Sequence, residues 1–226
     1  MAGQEEVKVL STWVSMFGMR VLIGLEEKGV KYEYQEENLG NKSELLLQMN
    51  PVYKKIPLLI HNGNPVCESL IILQYIDEAW PSKPFMPSKP YARALHRFWA
   101  DFVDKKFYDA GFRILRNKGE AQEEAKRDML EYLELLEGAL KDMSGGGPYF
   151  GGEEFGFMDI AFIPFTCWFQ TYQTIANFTI PFDTRFPCLL AWIQKCMERE
   201  SVKKILAPPD KVLEYASQLR KRFVTN

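Results

Sequence analysis

Asn50-Pro-Val-Tyr-Lys-Lys-Ile-Pro-Leu-Leu-Ile-His-Asn-Gly-Asn-Pro-Val-Cys-Glu-Ser-Leu-Ile-Ile-Leu-Gln-Tyr-Ile-Asp-Glu-Ala-Trp80 is the stretch from which the rest of the chain is read. Leu58 to Ile60 is a short apolar run, Asn62-Gly63 is a turn dipeptide, and Val66-Cys67 resumes in extended form, which together signal a hairpin. A helix then begins abruptly at Ser69. Leu70, Leu73, Ile76 and Asp77 fall at helical intervals, with Ile71 and Ile72 thickening the buried side. Ile56-Pro57 opens the first strand with a residue that cannot donate to a ladder, which leaves the backbone groups of Ile56 available to a ligand. Glu68-Ser69 stands where a strand end meets a helix N-terminus, a place whose N–H groups and dipole favour a carboxylate. Each feature has a plain structural reading: Ser69 as an N-cap, Lys54-Lys55 as a solvated turn, Ile56-Pro57 as an edge strand. Their order within one short segment is what makes a binding site competitive, with Glu68 and Ser69 as polar groups of little core role.

Upstream, Val7 to Thr12 reads as a strand, Trp13 to Gly18 as a loop, and about Phe17 to Lys28 as a helix. Arg20 and Glu27 are expected to face out, with Val21, Leu22 and Leu25 forming the buried stripe and Lys28-Gly29 the stop. Val30 to Glu36 alternates as a second strand, so the first three elements call for a right-handed parallel crossover. Asn41 to Met49 holds a short helix with Leu45, Leu46 and Leu47. The order strand-helix-strand, helix, strand-strand-helix matches a thioredoxin-like α/β domain over residues 1–83. Pro81, Pro84, Pro87 and Pro90 mark an extended linker, 84–90.

Residues 91–226 read as an all-α domain. Tyr91 to Arg116 and Glu120 to Lys141 keep long helical periodicity, and Ser144-Gly145-Gly146-Gly147-Pro148 breaks the chain. Phe157 to Tyr172 is almost wholly apolar and is expected as one central buried helix. Cys188 to Arg199 and Lys211 to Arg222 supply two more.

With 226 residues there is room for one large domain or two small ones. A net charge of −2 gives no electrostatic case for nucleic acid or an anionic membrane surface. Four cysteines without a C-x-x-C pair and only two histidines argue against a zinc site or redox dithiol. Free thiols and the lack of a secretory or membrane-spanning run lead to the expectation of a cytoplasmic protein.

Trp13-Val14-Ser15-Met16-Phe17, Lys28-Gly29-Val30-Lys31-Tyr32-Glu33, Asn41-Lys42-Ser43, Asn50 to Pro57, Glu68-Ser69 and Gln74-Tyr75-Ile76-Asp77-Glu78 together resemble the tau-class glutathione transferases of plants. The likeness continues through Phe98-Trp99-Ala100, Gly156-Phe157-Met158-Asp159-Ile160-Ala161 and Trp168-Phe169. The resemblance implies a glutathione-binding first domain and a helical domain that selects the electrophile. It further implies glutathione as co-substrate, no metal, and a homodimer in which apolar side chains of the first domain dock on the partner's helical domain.

By the same resemblance, Glu68 receives the γ-glutamyl ammonium, while Ser69 and the helix behind it receive that residue's carboxylate. Lys42 and Lys55 flank the glycine carboxylate. Ile56, before what the family implies is a cis-Pro57, pairs its backbone with the cysteinyl unit. Ser15 carries the chemistry: a free thiol of pKa ~8.5 is only a few per cent ionised at neutral pH, and a hydroxyl donating to the sulfur stabilises the thiolate. On its own, Ser15 reads as a helix cap. The hydrophobic-substrate side carries over as Phe17, Leu39, Tyr108, Phe112, Leu115, Trp168, Tyr215 and Leu219, most of which also read as core.

Two positions depart from the pattern. Met16 stands where tau sequences usually have proline, which points to a looser loop, and Phe112 where relatives often carry arginine, which makes the pocket more apolar. The expected activity is conjugation of glutathione to hydrophobic electrophiles, with glutathione peroxidase as a side activity. The alternative is a non-catalytic carrier of hydrophobic metabolites. A thiol transferase needs cysteine at position 15, and no cysteine precedes Cys67.

Overall fold

The computed structural model describes residues 5–224. They fall into two compact units: one ends at Phe85 and also takes in Ser201–Ile205, and the other runs from Met86 to Glu200 and resumes at Leu206.

In the first unit β1 (Val7–Ser11), α1 (Met16–Lys28), β2 (Glu33–Glu36), α2 (Glu44–Met49), β3 (Leu58–His61), β4 (Asn64–Cys67) and α3 (Ser69–Ala79) follow in the order read from the sequence. The sheet order is β2-β1-β3-β4. β1 is parallel to β2 and antiparallel to β3, and β3 is antiparallel to β4. Asn62 (φ 49°) and Gly63 (φ 79°) close the β3–β4 hairpin in the left-handed conformation that a two-residue turn requires. Alternation sends Leu10, Leu58 and Ile60 to one face, where they bury Leu46 of α2. Val9 and Leu59 point to the other, which α1 and α3 cover with Val21, Leu25, Ile72, Leu73 and Ile76.

Three expectations for this unit are corrected. Arg20 does not face out: it is completely buried. Its guanidinium donates to the Ser69 hydroxyl at 3.0 Å, one of the interactions that hold it inside. Ile71 lies outward, 56% exposed, because four consecutive apolar residues at 100° per residue cannot all share one face. β2 starts at Glu33 rather than Val30, since Gly29 (φ 68°) first has to close α1 through bonds to Glu26 O and Leu25 O.

The second unit holds α4 (Pro90–Phe102), α5 (Tyr108–Arg116), α6 (Glu120–Ser144), α7 (Phe157–Phe162), α8 (Phe169–Ala176), α9 (Phe182–Arg185) and α10 (Pro187–Cys196). α11 (Glu200–Ile205) follows and lies almost wholly in the first unit, and α12 (Pro209–Val224) returns to the second. A π-helical turn, Val103–Phe107, joins α4 to α5. The single helix expected over Phe157 to Tyr172 is divided. Pro164 has no N–H to donate, and the chain tightens into a 3-10 stretch, Ile163–Trp168, before α8 resumes.

The core of this unit is aromatic. Phe162 stacks on Trp192 at 5.1 Å and takes Phe107 edge-on at 5.4 Å. Within it Asp159, fully buried, accepts from Phe150 N (3.0 Å), Gly156 N (2.9 Å) and Trp192 Nε1 (2.7 Å), closing the N-terminus of α7. Burial outweighs those donors and pushes its carboxyl up to about 6. Burial also lowers His96 to about 4.

These two groups tilt acid stability in opposite directions. Asp159, raised above its unfolded value, contributes stability below pH ~4 that is lost as pH climbs through 6; His96, depressed, contributes above pH ~6.5 and loses it as pH falls towards 4. Asp159→Asn removes only the first. Its stability relative to wild type is therefore expected to improve by ~2–3 kcal/mol between pH 4 and 6.5, although both oxygens' roles as acceptors make the variant weaker at every pH. Urea melts at a series of pH values measure this, and a pH-independent difference between the two proteins contradicts it.

Candidate functional site

The pairing registers bring the sequence-predicted residues of the first unit to one end of its sheet. Leu10 of β1 opposes Leu58 of β3, which opposes Cys67 of β4, and Ser11 lies beside Glu36 of β2. From that end the chain leaves β1 towards Ser15, enters β3 from Ile56-Pro57, leaves β4 into Glu68-Ser69 and leaves β2 towards Leu39 and Lys42.

Ser15 caps α1. Its oxygen accepts from Gly18 N at 3.2 Å, while its own N–H donates to Thr12 O at 2.9 Å. The hydroxyl proton has no partner among the described residues. Glycine is required at position 18, since a Cβ there would lie 1.9 Å from Ser11 Oγ.

Glu68 takes φ 69° and ψ 116°, strained for a non-glycine residue, and caps α3 without using its side chain. Its exposed carboxylate makes no hydrogen bond or ion pair among the described residues. Ser69 is buried, 6% exposed, and accepts from Arg20, so it does carry a core role, contrary to the expectation from its junction position. Arg20 was not recognised from the sequence as part of this constellation; its acceptor lies 49 positions further on.

Ile56-Pro57 is cis, and the N–H and C=O of Ile56 find no partner among the described residues. Buried Asn50 braces the loop before it, donating to Lys55 O at 2.9 Å and accepting from Tyr53 N at 3.2 Å. Lys42 Nζ donates to Lys54 O at 2.7 Å, and Lys55 is exposed. The one thiol here, Cys67, is pushed up by burial and then by Glu68, so it stays protonated. Among the described residues no group of three His, Cys, Asp or Glu side chains is placed to hold a metal ion.

This set offers a free carboxylate for an ammonium, a helix N-terminus and ammonium groups for carboxylates, an unpaired extended backbone for a peptide, and a hydroxyl proton. Such a set is chemically matched to a small peptide that bears both charges.

Of the apolar set, Phe17 is half-buried under the Arg20 guanidinium, 5.2 Å from its ring centre, and Leu39 is 48% exposed; both belong to the first unit. In the second, Tyr108 stacks on Phe112 at 6.1 Å, and Phe223 meets Phe112 edge-on at 5.7 Å, so α12 packs along α5. Tyr215 and Leu219 are half-buried on α12, whereas Leu115 and Trp168 are 5% exposed core residues. A charge lies close to Phe112 all the same: the Arg116 guanidinium, one helical turn on, is 5.3 Å from its ring centre.

Residues 5–78 match the glutathione S-transferase N-terminal domain, and residues 85–200 match the glutathione S-transferase C-terminal domain. The chain belongs to the glutathione S-transferase family. It is 56% identical over 220 residues to glutathione S-transferase U19 of Arabidopsis thaliana, covering 97% of this chain and 98% of that protein. Among solved structures it is similar to the tau-class glutathione S-transferase of mango, Mangifera indica (TM-score 0.91, 42% identity, 95% of this chain and 98% of that one). It is equally similar to rice GST1 in complex with glutathione (TM-score 0.90, 46% identity, 98% and 99% covered).

The Arg20–Ser69 bond separates two neighbours with the same sequence rationale. Ser69→Ala removes an acceptor from a buried guanidinium and is expected to cost ~1–3 kcal/mol of stability, while Glu68→Ala stays within ~0.5 kcal/mol of wild type. Denaturant melts of the two variants measure this, and equal stabilities overturn the assignment of Ser69 to the core network.

Proposed function

We propose that this chain conjugates the thiolate of glutathione to hydrophobic electrophiles, with Ser15 as the serine-type catalytic residue. The observation that carries the reading is the unshared hydroxyl proton of Ser15, held at the N-terminus of α1 at the same sheet end as Glu68 and Ile56. A thiolate accepting that proton, close to the positive end of a helix dipole, is stabilised over the thiol. Glu68 binds the ammonium of the γ-glutamyl unit, and Ser69 with the first N–H groups of α3 binds its carboxylate. Ile56 pairs with the cysteinyl backbone. Lys55 and Lys42 bind the glycine carboxylate. The same thiolate attacking a hydroperoxide oxygen releases an alcohol, and a second glutathione then forms the disulfide and water, which is the peroxidase side activity.

Phe17, Leu39, Tyr108, Phe112, Leu115, Trp168, Tyr215 and Leu219 remain the proposed hydrophobic-substrate set. Leu115 and Trp168 are core residues, and the other six are at least partly accessible. Apolar pockets discriminate weakly, so the substrate range is broad. A purely carrying role leaves both the Ser15 proton and the Glu68 strain without use. Free Cys67, Cys167, Cys188 and Cys196 suit the cytoplasm.

Ser15→Ala is expected to lower kcat with a chloronitrobenzene substrate at least ~10-fold near neutrality and to shift the pH–rate profile upward by ~1–2 units. Glutathione affinity should change less than about twofold. A profile that does not move overturns the role of Ser15.

Val52 (80% exposed), Tyr53 (57%) and Leu47 (38%) are exposed apolar side chains on α2 and the turn after it, and we take them to dock on a second copy. Light scattering at micromolar concentration is expected to give twice the 26.3 kDa chain mass, and Tyr53→Glu to give the single mass. A monomeric wild type contradicts the docking.

A further inference from the structure

The turn that presents Ser15 is held from below by one carboxylate. Glu36 ends β2 beside Ser11, and the neighbouring Glu37 N–H donates to Ser11 O at 2.7 Å, fixing the two strand ends together. Glu36 Oε1 then accepts from the Thr12 hydroxyl at 2.6 Å and from Trp13 N at 3.2 Å. Its Oε2 accepts from Trp13 N at 3.0 Å and from the Tyr34 hydroxyl. Thr12 and Trp13 are the first two residues of the turn, and the turn closes when Thr12 O accepts from Ser15 N at 2.9 Å. A chain of hydrogen bonds therefore runs from Glu36, through Thr12 and Trp13, to the backbone of Ser15.

The clamp is not a packing element. Glu36 is exposed and Trp13 is 40% exposed, so removing the carboxylate opens no cavity; what it constrains is geometry. Such a constraint is called for here. Met16 occupies the first position of α1, where a proline ring would otherwise fix φ, and a methionine leaves that freedom in the backbone.

We propose that Glu36 is a positioning residue for the Ser15 hydroxyl, restraining the Thr12–Ser15 turn in place of a proline at position 16. The proposal rests on Ser15 acting on the glutathione thiolate. Its loss has a distinctive sign. Removing a nearby negative charge, taken alone, stabilises a thiolate and lowers the thiol pKa, whereas misplacing the Ser15 donor raises it.

The test is a pH titration of the ultraviolet thiolate absorbance of the glutathione-bound protein for wild type, Glu36→Ala, Glu36→Gln and Ser15→Ala. Thermal denaturation of each variant confirms folding. Glu36→Ala is expected to raise the bound thiol's pKa by ~1 unit, with kcat below that pKa falling about tenfold and the KM for glutathione changing less than about twofold. Glu36→Gln, nearly isosteric and keeping one acceptor oxygen, should fall between. Adding Met16→Pro to Glu36→Ala should recover at least about half of the shift, because position 16 has a helical N1 place and Ser15 at ψ 112° already suits a following proline. A fall or no change in pKa in Glu36→Ala, or a rise that Met16→Pro does not reduce, overturns the proposal. If Ser15→Ala shifts the pKa and Glu36→Ala does not, only the clamp fails. If Ser15→Ala leaves it unmoved, the serine reading fails and the clamp with it.

Discussion

β3 is antiparallel to both of its neighbours, and the rest of the first unit follows from that constraint. A strand entered from one end of the sheet and flanked by two that leave at the same end gathers three chain segments without any of them being close in sequence. The Leu10–Leu58–Cys67 register accordingly places the residues before β3 beside those after β1 and after β4. Slipping β3 by one residue would reverse Leu58 and Ile60 to the wrong face and expose two members of the cluster around Leu46. Hydrophobic burial thus fixes the geometry of a polar site in which it has no chemical part.

Four buried polar side chains perform the finer adjustment, through backbone donors or a partner distant in sequence. Glu37 accepts from Ser43 N and Oγ, and the same Oγ caps α2 by accepting from Leu46 N. Glu137 accepts from Cys188 N and Leu189 N at the start of α10. Asp159 does the same for α7, and Arg20 ties α1 to the first residue of α3. An unpaired group in any of these places would cost more than the bond it makes contributes, so each acts chiefly by excluding other arrangements.

The sequence was legible where the physics is local. Asn62-Gly63 requires the turn it forms, Lys28-Gly29 stops its helix, and Ser15 caps the same helix, all within a few residues. It was misleading where a distant partner decides. Arg20 reads as solvated until Ser69 is brought beside it, and Glu36 reads as one more polar residue on an edge strand until Thr12 and Trp13 turn towards it. The run from Phe157 to Tyr172 failed for a different reason. Its apolar character correctly indicates burial, but Pro164 within it divides the helix. Burial says that a segment is inside; only the donors and acceptors say whether it can remain one helix.

The role proposed for Ser15 is compatible with its cap, because a capping role and a chemical role need not compete. A helix cap uses an oxygen lone pair, since the orphan groups at a helix start are N–H donors. Thiolate stabilisation uses the proton on that same oxygen. Accepting from Gly18 N polarises the hydroxyl and orients it, while its donor remains unspent. The residue type favoured as a cap is therefore also the one that presents a donor just outside the positive end of a helix. What distinguishes Ser15 from Ser43 is not the cap, which both make. Ser43 gives its proton to the buried Glu37 carboxylate at 2.6 Å, whereas the Ser15 proton has no partner among the described residues.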